Sequence, residues 1–228
     1  MERSELKEWA KKKREGNIIK ILVALLVPSM VIAIVQAILM KIFGVQESTV
    51  TKSGELIMGS NMGIGGIISL VCGLAELVVG VNIIAYIVRI VKDKETSFKS
   101  LFDFSGNIVR TVLTMFLQGV FIFLWSLLFI IPGILKTYSY ALVPYILADK
   151  RYKGLSAMEV LKLSEKLMKG HRWDYFVLQL SFIGWYILCP FTLGILYIWV
   201  VPYSTLAFTK FLQDLLDADN STKSTKKE

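Results

Sequence analysis

The chain has 228 residues, of which 54% are hydrophobic, with a mean hydropathy of +0.58 and a formal net charge of +8. That apolar share is too high for a water-soluble domain of this size, and the charges are segregated between apolar runs, as a bilayer requires. The basic excess does not point to nucleic acid, because no zinc spacing, RNA-binding signature or helix-turn-helix pattern accompanies it. Topology and attraction to anionic inner-leaflet lipids account for it.

The first element, about residues 2–15, places Leu6, Trp9 and Ala10 on one side of a helix among charges, which predicts a helix lying on the membrane surface. Lys11–Arg14 then precede an apolar run that is too long for a signal-peptide core and has no A-x-A cleavage pattern, so 18–40 is read as a retained first span. A second span covers 64–91. A second interfacial helix is expected over 97–106, where Phe98, Leu101, Phe102 and Phe104 accompany Lys99 and Asp103. Spans three and four follow at 108–131 and 134–148, the latter short of the roughly 20 residues that a crossing takes.

The third interfacial helix, 156–169, has the clearest pattern. Ser156 and Glu159 form a capping box, while Val160, Leu161, Ser164, Leu167 and Met168 recur at helical spacing and Gly170 supplies the stop. Spans five and six are read over 173–190 and 194–212, followed by a polar cytoplasmic tail over 213–228. The fold class is therefore all-α, a polytopic bundle of six transmembrane helices in three hairpins, each led by a cytoplasmic interfacial helix.

Orientation follows from charge. If the spans alternate from a cytoplasmic N-terminus, the segments outside carry only Lys41, Lys52 and Lys136 of the 26 Lys and Arg residues. The positive-inside rule then places both termini in the cytoplasm of a bacterial cell. Trp125, Trp185, Tyr186, Tyr197 and Trp199 fall towards the outer ends of their spans. Pro132 precedes Pro144-Tyr145 by the same interval that separates Pro190 from Pro202-Tyr203, which suggests that hairpins two and three are parallel repeats.

Glu76 is the one acidic residue deep within a span, and a charge at the bilayer centre costs about 2.5–3.5 kcal/mol on insertion scales. With Ser69, Gly73 and Gly80 it forms a small-residue stripe that would admit another helix backbone. Glu76 is thus a candidate intramembrane functional residue. The alternative is helix glue, with Gln36, Gln118 or Gln179 as partner. A Glu76→Gln variant with unchanged folding and activity would remove a proton-relay role. Pro28, Pro144 and Pro202 are candidate kinks, each freeing a carbonyl one turn earlier. His171 is read as a headgroup or helix-end contact, and Cys72 and Cys189 as small buried residues. No nucleophile motif, phosphate loop or metal-ligand pattern is found, so the expectation is no enzyme, no cofactor and no metal.

Leu127–Ile134 with its Pro132-Gly133, Met168-Lys169-Gly170-His171, Leu180–Trp185 and Val201-Pro202-Tyr203 resemble a bacterial integral membrane family, domain of unknown function 975. The resemblance runs from the Leu6-Lys7 segment to about Leu212 and departs from the family at Asp149, which Lys150-Arg151 follows where proline is common. It implies a multi-span protein of the cytoplasmic membrane, distantly similar to the membrane portion of some glycerophosphodiester phosphodiesterases. It brings no activity and no catalytic residues. The expected function is binding of a lipid, a hydrophobic peptide or a membrane-protein partner, in envelope homeostasis or self-protection. The alternative is a transporter or permease component using the intramembrane carboxylate.

Overall fold

The computed structural model describes residues 3–45, 49–50, 56–57, 61–94, 96–102 and 108–225. They form helices α1 (Arg3–Glu15), α2 (Ile18–Ile42), α3 (Met62–Val91), α4 (Ile108–Leu128), α5 (Ile130–Ser139), α6 (Val143–Ala148), α7 (Ala157–Met168), α8 (Arg172–Leu188) and α9 (Tyr197–Thr225). Short 3-10 turns lie at Phe98–Phe102, Lys150–Tyr152 and Pro190–Thr192. A two-residue antiparallel ladder pairs Thr49 with Ile57 and Val50 with Leu56 between α2 and α3.

Five helical segments are long and apolar enough to cross a membrane: Ile18–Ile42, Gly63–Val91, Ile108–Leu128, Ile130–Ala148 and Arg172–Thr192. Their outward faces carry Ile67, Phe116, Ile130 and Ile187 exposed, a surface suited to lipid and not to water. The expected sixth span is not among them. Its sequence belongs to α9, whose Ser204, Thr209 and Gln213 are buried against neighbouring helices. A helix shielded by protein need not be as apolar as one facing lipid, because its polar groups find partners inside.

The main core gathers Ile21 and Ala24 of α2, Tyr86, Ile87 and Ile90 of α3, and Leu142, Val143 and Ile146 around the α5–α6 break. Val160, Leu161 and Met168 of α7 join it, with Leu178 and Phe182 of α8 and Leu206, Leu212 and Leu216 of α9. α7 therefore packs one face against the bundle, while Met158, Glu159, Lys162 and Lys166 on its other face are exposed. Ser164 Oγ donates to the Ser139 carbonyl at 2.8 Å, and Lys136 pairs with Glu165 at 2.7 Å. Lys136 was expected outside and α7 inside, and this ion pair sets the two side by side.

α1 packs in the same way, with Leu6 and Ala10 buried and the helix lying along α9. Arg14 sits 5.3 Å from the Trp199 ring, which separates Trp199 from the opposite interface assigned to it. The expected helix over 97–106 is a 3-10 turn at Phe98–Phe102, and 103–107 lie outside the described residues. An amphipathic stripe requires an apolar neighbour, and protein meets that need as well as lipid does.

The capping box is present: Glu159 accepts from the Ser156 backbone N–H at 2.7 Å, and its own N–H donates to Ser156 Oγ at 3.4 Å. Hydrogen bonds from the Ser156 backbone N–H and hydroxyl hold the Glu159 carboxyl below its ordinary range. Ser156→Ala is expected to lower the Tm by roughly 2–4 °C in a detergent melt. α4 and α5 meet closely at Gly133, where an added Cβ would stand 2.8 Å from Ser126 Cα. The proposed repeat is only partly matched. The chain breaks at Tyr140–Leu142 before Pro144, whereas α9 runs unbroken through Pro202.

Candidate functional site

The C-terminal end of α3, the end of α6, the 3-10 turn after it and α9 enclose a cavity of about 460 Å³. Arg89, Lys92, Lys94, Lys150 and Arg151 line it, and Ala85, Val88 and Ala148 give it an apolar side. The local reasons are simple. Cations favour the C-terminal turn of a helix, where Arg89 and Lys92 stand on α3. Asp149 ends α6 in an extended conformation and accepts from the Arg151 N–H at 3.0 Å, which turns the Lys150-Arg151 pair back towards α3.

The positive charge is only partly compensated. Asp217 of α9 pairs with Lys92 at 3.0 Å and with Arg151 at 2.9 Å, and Arg151 Nε also donates to Asp149 at 2.8 Å. Arg89, Lys94 and Lys150 have no ion-pair partner among the described residues. Hydrogen bonding to Asp149 holds Arg151 above its ordinary pKa. Burial alone would raise Asp217, but bonds from Lys92, Arg151 and Gln213 outweigh it and hold the carboxyl below the usual range.

A depressed folded pKa adds stability that is complete above the unfolded value, about 3.9 for aspartate, and is lost as pH falls through the folded value. Asp217→Asn should therefore lower the Tm at neutral pH. The gap between the two proteins should close in melts run progressively below about pH 4.

The residues singled out in the sequence are not gathered at this cavity. Glu76 lies in the middle of α3, exposed, and has no hydrogen-bond or ion-pair partner among the described residues, so Gln36, Gln118 and Gln179 do not hold it. Gln36 instead donates to Ser69 Oγ at 3.3 Å. Gly73 and Gly80 face open space, and among the described residues no atom lies within 4 Å of an added Cβ at either. Pro28 and Pro202 are buried inside α2 and α9.

Pro144 does not kink a helix. It stands in the first turn of α6, and the Tyr140 carbonyl accepts from the Val143 N–H at 3.1 Å. Pro144 also borders a second cavity between α3, α4, α5–α6 and α8. The five basic residues of the first cavity read in sequence as topology markers. Their clustering near the ends of the second and fourth apolar runs was the one signal available for a site.

Residues 127–219 match the family described as Protein of unknown function (DUF975). This part of the chain is similar to that family. It holds α5 to α8, most of α9 and the last residues of α4, and so contributes Asp149, Lys150, Arg151 and Gln213 to the basic cavity. Arg89, Lys92 and Lys94 come from α3 and the turn after it, before the DUF975 match begins, as does the Leu6 segment in which a resemblance was expected. No curated protein and no solved structure matches the chain.

Proposed function

We propose that this is a non-enzymatic protein of the bacterial cytoplasmic membrane that acts by binding, and that it holds an anionic phospholipid of the inner leaflet in the basic cavity. One observation carries the reading: five cations line a cavity that also has an apolar side, at one end of the bundle. A phosphate-bearing headgroup needs cations at the interface, and the chains below it need apolar surface. In this reading Arg89, Lys92, Lys150 and Arg151 stand at inner-headgroup depth.

The test offers the purified protein an equimolar mixture of phosphatidylglycerol and phosphatidylcholine and reads what is retained by native mass spectrometry. Preferential retention of phosphatidylglycerol is expected. Equal retention of the two lipids overturns the reading. The alternative, a transporter using an intramembrane carboxylate, gains nothing from Glu76, which lines neither of the two cavities described.

A further inference from the structure

We propose that the second cavity, between α3, α4, α5–α6 and α8, is a binding site for the hydroxyl-bearing headgroup of an uncharged lipid. The cavity holds about 490 Å³, within the roughly 300–1,000 Å³ of small-molecule sites. Its polar lining is Gln118, Gln179, Tyr138, Tyr140, Tyr145 and Tyr175, with Thr137 beside them, and none of its lining residues is charged. Gln118 and Gln179 stand inside α4 and α8, two of the helices able to cross a membrane. Amides and phenols at that depth are costly to place unless something hydrogen-bonds to them.

The need is specific at Gln118, whose side-chain oxygen is buried without a hydrogen-bond partner. A ligand donor can satisfy it, and a hydroxyl supplies both a donor and an acceptor for the surrounding amides and phenols. The nearest charge, Lys136 against the Tyr140 ring, is already paired with Glu165 at 2.7 Å, which favours a neutral polar group.

The side of entry argues for a lipid. Ile134 and Thr137 on the cavity wall are exposed, and Ile130 and Ile131 continue the apolar surface beyond them. A molecule arriving there comes from hydrocarbon and keeps its chains in it. The basic cavity is a separate site. Tyr145 borders both cavities and its hydroxyl pairs with Thr209 Oγ1 of α9 at 3.3 Å, so the shared wall is fixed.

The experiment uses the full chain reconstituted in phosphatidylcholine vesicles, with a photoreactive diacylglycerol as probe and peptide mapping of the adduct. Labelling is expected on α5 or α8. It should fall about tenfold with an analogue whose free hydroxyl is capped as a methyl ether, because one hydrogen bond is lost and a buried acceptor stays unpaired. Gln118→Leu should abolish the preference for the free hydroxyl, and so should Gln179→Leu if the first variant folds poorly. Excess phosphatidic acid should not compete. Equal labelling by the capped probe, or labelling only outside α3, α4, α5–α6 and α8, overturns the proposal. Competition by phosphatidic acid also overturns it, since the charged headgroup would then share the site.

Discussion

Replacing Arg89, Lys94 and Lys150 together with alanine is expected to weaken binding of fluorescent phosphatidylglycerol by roughly two orders of magnitude in a detergent titration. Each cation near an anionic lipid surface contributes about 1 kcal/mol, and about 1.4 kcal/mol corresponds to a factor of ten. These three are chosen because no carboxylate among the described residues pairs with them, whereas Lys92 and Arg151 are held by Asp217 and removing them would also disturb α9. The control removes three cations from elsewhere. Lys162, Lys166 and Lys169 lie on the exposed side of α7 or just after it, so their loss should change the affinity much less. If both triple variants lose affinity equally, the effect is general surface charge and the cavity is not a site. Raising the salt concentration should weaken binding to the unmodified protein and leave the Arg89, Lys94, Lys150 variant nearly unaffected.

Leu161→Ala and Met168→Ala are each expected to destabilise the protein by about 2–5 kcal/mol, or several degrees or more in Tm. Both side chains are almost fully buried, Leu161 at 2% exposure and Met168 at 0%, and both belong to the main core. The prediction decides where α7 sits. A helix resting on lipid would lose some membrane affinity when an apolar side chain is trimmed, and the bundle would melt as before. A helix packed between neighbours leaves a cavity when trimmed, and the cavity destabilises the whole bundle. Thermal melts of the two variants in detergent, with no lipid surface present, separate these outcomes.

The same helix shows how far the sequence reaches. The capping box at Ser156 and Glu159 and the stripe through Val160, Leu161, Ser164 and Met168 give its start and its buried face correctly. They do not give what the face is buried against, because lipid and a neighbouring helix satisfy the same apolar stripe. The Lys136–Glu165 pair and the Ser164–Ser139 bond are what place it among α4, α5 and α6. Glycines behave similarly. Gly73 and Gly80 form a regular stripe and meet nothing among the described residues, whereas Gly133 lies in no stripe and admits the close contact with Ser126. Spacing reports which residues share a face, and only the partner's position says whether the face is used.

The candidate site was half legible. The Lys and Arg residues near the ends of the second and fourth apolar runs were visible as a topological signal, and Asp149 pairs with Arg151 beside them. Their convergence on one cavity was not visible, because Arg89 and Lys150 are far apart in the chain and meet only where α3 packs on α6. The Tyr–Gln cavity was hidden for the same reason, its lining drawn from four separate stretches of helix.

By itself, then, the sequence determined the helical class, the apolar runs of spans one to five and the basic character of the segments between them. Those properties follow from local composition, since a run of apolar residues must be helical to satisfy its backbone in a bilayer. Tertiary structure alone decided that α1 and α7 are packed helices, that α9 is a shielded central one, and that Glu76 stands apart from the cavities. These are long-range contacts, and they depend on which faces meet across the bundle, which periodicity within one segment does not encode.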